Sequence, residues 1–236
     1  MKYKRPYIIE TKNYIQVCYG GGISNKLKNV KRNKIKKYTR ASQKRLCEKI
    51  DCAIRYKPTM ILNVYFDKSI PVKETNLILI KYFETMYQYY ETVIKHVPLI
   101  FWRKNFDSSG NFWISLMLDF PRTFNMKKFI FASNLFWKGR VGKEGRIELE
   151  LVAAELPKEM VKKFCFDNST TAEENVGRWW GTIYGKYHKF KKPKKTYYSV
   201  REIKEIIKDL KKLETDQIKA YMYEKPGEKT KDFSIF

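Results

Sequence analysis

Leu99-Ile-Phe-Trp-Arg-Lys-Asn105, Asp107-Ser-Ser-Gly110 and Asn111-Phe-Trp-Ile-Ser-Leu-Met-Leu-Asp-Phe120 follow one another in the middle of the chain. Two runs rich in β-branched and aromatic side chains, parted by a Gly/Ser/Asp cluster, predict a β-hairpin. Upstream, Thr59 to Phe66 is mostly apolar and reads as a buried strand. Val72 to Ile94 is helical in period, with Leu77, Ile80, Phe83, Tyr87, Tyr90 and Ile94 on one broad face. Downstream, Met126 to Trp137 reads as a helix and Gly139 to Gly145 as a loop. Arg146 to Val152 alternates polar and apolar residues, so it is a half-exposed strand. Pro157 opens a short helix through Phe166, and a polar stretch then leads to Val176-Gly-Arg-Trp-Trp-Gly181.

The ends add less. Tyr14 to Tyr19 reads as a strand closed by Gly20-Gly21-Gly22; with no Lys-Ser/Thr after it, this is not a P-loop. From Ser42, residues Leu46, Ile50, Ala53 and Ile54 fall at helical spacing, ending before Pro58. Ser199-Val-Arg-Glu202 is a capping box opening a helix with Val200, Ile203, Ile206, Ile207, Leu210 and Leu213 inward, and the last 15 residues are expected to fray. The order of elements predicts an α+β fold: a central, mainly antiparallel sheet of about five strands, ferredoxin- or RRM-like, with helices packed on it. Three segments are expected: 1–57, a basic N-terminal strand and helix packed on the core; 58–185, the α+β core; and 186–236, a basic linker with a C-terminal helix.

The 236 residues carry 49 Lys and Arg against 25 Asp and Glu, a formal charge of +24. The charge is uneven: residues 1–57 hold +14, residues 58–185 only +3, and residues 186–236 hold +7. A lysine-rich composition alone does not explain an excess gathered at the ends. A block of like charge attracts polyanions by counterion release, and the basic stretches lack the broad apolar face a membrane surface would need. Nucleic acid is the expected partner. Cys18, Cys47, Cys52 and Cys165 form no CxxC pair, so neither a zinc site nor a disulfide framework is indicated. No uncharged apolar run reaches 18 residues and the first residues lack a signal-peptide core, so a cytoplasmic location is expected, that of the host cell for a viral or plasmid product. His96 and His188 are the only histidines.

A strand like Met60 to Phe66, a Trp-Arg strand, a Gly turn, a following strand and a later Gly-Arg-Trp-Trp-Gly resemble, in order and spacing, the rolling-circle replication initiators of phages and plasmids, the HUH endonuclease superfamily. The resemblance spans roughly residues 40–185. It implies a His-aromatic-His strand whose two imidazoles point the same way and hold a divalent metal with a third polar ligand. It also implies a helix-borne tyrosine that forms a 5′-phosphotyrosine. This chain departs from the pattern at each of those positions. Asn111-Phe112-Trp113 stands where the His pair is expected, Asn105 where Trp-Arg-x-Glu has its carboxylate, and Phe164 at the nucleophile position. No tyrosine lies between Tyr90 and Tyr184.

These departures imply a degenerate initiator that binds viral or mobile-element DNA without cutting it, using no cofactor. Single-stranded or hairpin DNA is favoured over plain duplex, and a lost active site leaves an aromatic-rich face free for homodimerisation. The expected nucleic-acid contacts are Lys26, Lys28, Lys31, Arg32, Lys34, Lys36, Lys37, Arg40, Lys44, Arg45, Arg178, Trp179, Lys186, Lys189, Lys191, Lys192, Lys194 and Lys195. Trp179 and Trp180 read either as core packing or as a stacking platform for a base. Two alternatives stand beside this reading. One is an active nickase using Mg or Mn with Asp107, Asp119, Glu148, Glu150 and Tyr184 or Tyr187; the other is a non-specific packaging protein.

Overall fold

A computed structural model describes residues 5–18, 38–121, 125–142, 144–152, 157–166, 176–212 and 222–224. It is an α+β structure with two antiparallel sheets. The chain divides into two compact units, residues 1–31 with 191–236, and residues 32–190. This division falls elsewhere than the three consecutive segments expected, because strand pairing joins the first residues to the last ones.

The smaller unit contains β1 (Tyr7–Glu10) and β2 (Tyr14–Cys18), which form a hairpin. β1 pairs on its other side with β8 (Lys194–Tyr197), and β2 with β9 (Met222–Glu224). The basic run expected as a linker therefore supplies an edge strand, where outward lysines are tolerated and discourage further pairing. β9 likewise falls within the stretch expected to fray. α5 (Val200–Lys212) lays Ile203, Ile207 and Leu210 against Ile8 and Val17. Its capping box is formed as expected: Glu202 N–H donates to Ser199 Oγ at 3.2 Å, and Ser199 N–H to Glu202 Oε2 at 2.6 Å. Val200, expected inward, falls on that stripe but is exposed at the first residue of the helix.

The larger unit is built on a five-stranded sheet in the order β6-β3-β5-β4-β7. Its strands are β3 (Met60–Tyr65), β4 (Ile100–Phe106), β5 (Phe112–Leu118), β6 (Arg146–Val152) and β7 (Trp180–Ile183). The hairpin at its centre turns through Asp107 to Gly110, whose φ of +80° suits glycine. One sheet face carries Leu62, Val64, Trp102, Ile114 and Leu116 into the main core. There they meet Leu79, Tyr82 and Phe83 of α2 (Thr75–Tyr89) and Phe129, Trp137 and Val141 of α3 (Met126–Val141). α2 continues as a π-helical turn, Tyr90–Ile94. Leu77 was expected on the buried face of α2 but is exposed, since Leu79, Tyr82 and Phe83 occupy the core side. α3 runs past Gly139 to Val141, further than its sequence suggests.

α1 (Arg40–Asp51) and α4 (Pro157–Phe166) pack on each other at the opposite face. α1 is capped by Thr39, whose side chain accepts from Ser42 N–H at 3.2 Å, a contact of the kind worth about 1 kcal/mol. Beyond α1 the chain stops being helical, so Ile54 is exposed, while Ala53 bridges to Phe190. The four cysteines are free, three of them buried. Among the described residues, no helix is long and apolar enough to cross a membrane.

Candidate nucleic-acid interface

Strand alternation sends Asn63, Tyr65, Arg103, Asn105, Trp113 and Ser115 to the sheet face that bears α1 and α4. α1 reaches this face through Trp180, whose indole N–H donates to Ser42 Oγ at 3.0 Å. α4 reaches it through Phe164, whose ring centre lies 5.8 Å from the Arg103 guanidinium. Toward the hairpin turn a row of side chains runs from the buried Asn105, through the half-buried Trp113 and Tyr65, to the exposed Arg146. Asn105, Trp113, Tyr65 and Arg146 are successive cross-strand partners on β4, β5, β3 and β6.

The Trp113 and Tyr65 rings are half-buried and stack with centres 6.3 Å apart at 28°. The exposed Arg146 guanidinium lies 4.2 Å from the Tyr65 ring centre and is held there by Glu148, at 2.5 Å from Arg146 Nε. Burial, and then the Glu148 carboxylate, raise the Tyr65 phenol pKa, with Arg146 pulling the other way. Next to the row is a cleft of about 690 Å³, lined by Tyr65, Lys68, Asp107, Asn111, Trp113 and Arg146 among others.

Two carboxylates of this cleft, Asp107 and Asp67, are occupied locally. Asp107 accepts from Asn111 Nδ2 at 2.7 Å, from Asn111 N–H at 2.8 Å and from Ser109 N–H at 2.9 Å. Asp67 accepts from Ser69 Oγ at 2.7 Å and Ser69 N–H at 3.0 Å. These bonds, led by Asn111 for Asp107 and by the Ser69 backbone for Asp67, lower both carboxyl pKa values. Among the described residues, no group of three His, Cys, Asp or Glu side chains is placed to hold a metal ion.

The four positions singled out by the resemblance lie as follows. Asn105 is fully buried, donates through Nδ2 to Ser115 Oγ at 2.8 Å, and has no partner for Oδ1 among the described residues. Trp113 is its cross-strand partner. Asn111 is exposed in the turn and committed to Asp107. Phe164, on α4, is buried beside Arg103 rather than in the row.

Trp179 needs correction as a nucleic-acid contact. It is 4% exposed, with its ring stacked on Tyr38 at 6.2 Å and edge-on to Phe106 at 5.7 Å, so neither is a free face for a base. Its carbonyl also accepts from Lys104 N–H at 2.9 Å. Of the expected basic contacts, Lys26, Lys28, Lys31, Arg32, Lys34, Lys36 and Lys37 lie outside the described residues. Arg40 and Arg45 are exposed on α1 and Lys44 is half-buried; Arg178, Lys186 and Lys189 are exposed in the same unit. Lys191, Lys192, Lys194 and Lys195 are exposed in the smaller unit, where Lys195 Nζ sits 3.7 Å over the Tyr7 ring.

The carboxylates considered for an active nickase do not converge. Asp107 and Asp119 flank opposite ends of β5, Glu148 pairs with Arg146, and Glu150 pairs with Lys163 at 3.0 Å. Tyr184 is buried and donates its hydroxyl to the Phe83 carbonyl. Tyr65 and Arg146 are the members of the row that the sequence did not single out. Compared with known proteins, the chain matches no family model, no curated protein and no solved structure.

Proposed function

We propose that this chain is a non-catalytic binder of single-stranded or hairpin DNA, built on a sheet of the rolling-circle initiator kind, and that it serves as an accessory on viral or mobile-element DNA. The observation that carries the reading is the Trp113–Tyr65–Arg146 row. It offers half-exposed aromatic rings and a guanidinium on a sheet face, the combination on which unpaired bases stack while phosphates are neutralised. A formal charge of +24 adds long-range attraction for any polyanion. Asn111 is committed to Asp107, Trp113 stacks on Tyr65, and Asn105 is tied to Ser115. Each thus has a structural occupation where the resemblance implies metal ligands, which favours binding over nicking.

Fluorescence anisotropy with a labelled oligothymidine, repeated over a salt series, tests the reading. Affinity is expected to fall steeply with salt, and Tyr65→Ala or Trp113→Ala to weaken it about ten-fold, the loss of one stacked base. Binding indifferent to both salt and these substitutions would sink it. A covalent protein–DNA adduct formed with Mn²⁺ would replace it with the nickase reading, and equal affinity for heparin with the packaging one.

A further inference from the structure

A second aromatic cleft lies in the larger unit, at the β7 edge of the sheet, and the row described above does not use it. It measures about 600 Å³ and lies between α2, α1 and the turn that follows β7. Tyr187 is 48% exposed and stacks on Tyr87 with centres 4.9 Å apart at 29°. Lys186 Nζ lies 4.9 Å from the Tyr187 ring centre, and Lys49 Nζ lies 3.6 Å from that of Phe190. Thr182 and Glu84 complete the polar part of the wall.

The turn that presents Tyr187 is conformationally costly. Tyr184 adopts φ +62°, a left-handed conformation that is an outlier for a bulky residue, and its hydroxyl is bound to the Phe83 carbonyl on α2. A single 3₁₀ turn, Gly185–Tyr187, follows and sets the Tyr187 ring parallel to Tyr87. Strain of this kind persists only where the surroundings enforce it, and it concentrates at ligand sites.

We propose that this cleft is a second base-binding site, taking one nucleobase together with its adjoining phosphate. The proposal rests on the nucleic-acid reading above and extends it from one platform to two. Two ammonium groups rest on two aromatic faces at the rim of the cleft. An incoming base takes the ring faces by stacking, and the displaced ammoniums turn to the phosphate, so these cation–π contacts are exchanged for stacking and ion pairing. Glu84 stands on the same wall, disfavours a second phosphate there, and can accept from a base N–H. This gives a chemical role to the interleaved aromatics of the basic run, Tyr187 and Phe190.

The full chain is irradiated with an oligothymidine carrying 4-thiothymidine, and the cross-linked peptides are mapped. A cross-link at Tyr187 or Phe190 is expected, along with a roughly ten-fold affinity loss in Tyr187→Ala measured well below its Tm. Lys186→Glu, at an exposed position, is the second variant and is expected to weaken binding and steepen no other defect. Protection of the peptide by thymidine 5′-monophosphate, but not by inorganic phosphate alone, supports joint recognition of base and phosphate; protection by phosphate alone overturns it. If Tyr65→Ala weakens binding while Tyr187→Ala and Lys186→Glu do not, only this second site falls. A chain that binds no oligonucleotide overturns both readings.

Discussion

Asn105 and Ser115 are diagonal neighbours across the β4–β5 ladder, joined by a 2.8 Å hydrogen bond from Nδ2 to Oγ. Ser115 in turn donates to Asn63 Oδ1 at 2.6 Å, so one buried polar chain ties the three central strands beneath the Trp113 row. Ser115→Ala removes the shared hydroxyl and leaves two amides short of a partner. A loss of about 1–3 kcal/mol in chemical denaturation is expected. An unchanged midpoint would mean that the amides re-pair with each other.

Lys104 gives the protein an alkaline signature. It has no exposed surface, and its ammonium donates to the Val176 carbonyl at 2.7 Å and the Val72 carbonyl at 3.1 Å. Burial pushes its pKa down to about 8. Between that value and the ordinary value near 10.4, the unfolded chain binds more protons than the native one, so stability rises with pH in that window. The gain is up to about 3 kcal/mol at full deprotonation. Above pH 10 the buried phenols of Tyr56 and Tyr90, raised by burial, act in the opposite direction. Denaturation of the protein and of Lys104→Met at pH 7 and pH 9.5 isolates the effect: the native chain should gain on the variant as pH rises. Parallel behaviour would refute it.

His96 has the opposite sign near neutrality. Its Nε2 lies 2.7 Å from the Asp119 carbonyl oxygen and 3.7 Å from Asp119 Oδ1, and the hydrogen bond to Asp119 raises its pKa against the opposing effect of burial. A raised basic pKa contributes stability that is fully present below the unfolded value near 6.5 and lost as pH rises through the folded one. His96→Gln should therefore flatten the pH dependence of Tm above pH 6, with a small amplitude because the imidazole is a third exposed. Asp119 also accepts from Leu99 N–H at 2.7 Å, so Asp119→Ala should destabilise at every pH.

Gly181 is required by contact, not by dihedral freedom. A Cβ there would stand 2.8 Å from the Trp102 indole, a rigid ring fully packed in the core. Gly181→Ala is expected to cost about 1–3 kcal/mol, read as a lowered Tm. Gly177→Ala meets no such obstacle, but its φ of +66° makes the substitution strained at an exposed site.

The hairpin from Leu99 to Phe120 was legible because its period and its turn chemistry agree, and the same holds for the capping box at Ser199. Tyr65 was not legible as a site residue, because its place opposite Trp113 depends on the register between β3 and β5, a pairing of distant residues that no local pattern encodes. Trp179 and Trp180 look equivalent in sequence, yet one is sealed between Tyr38 and Phe106 while the other stays half-buried against Ser42. β8 was hidden because its lysines satisfy the rules for an edge strand and for a linker equally well.

The smaller unit is assembled from segments that are synthesised far apart in time. The β1–β2 hairpin is made early, and a lone hairpin has marginal stability in water. Its partners β8, α5 and β9 follow only after every residue of the larger unit has been added. At translation rates of about 5–20 residues per second, that delay is on the order of 10–40 s. The larger unit can close first, and the smaller sheet is completed only afterwards. Truncation within α5 should accordingly unfold β1 and β2 at the other end of the polypeptide while leaving the five-stranded sheet intact.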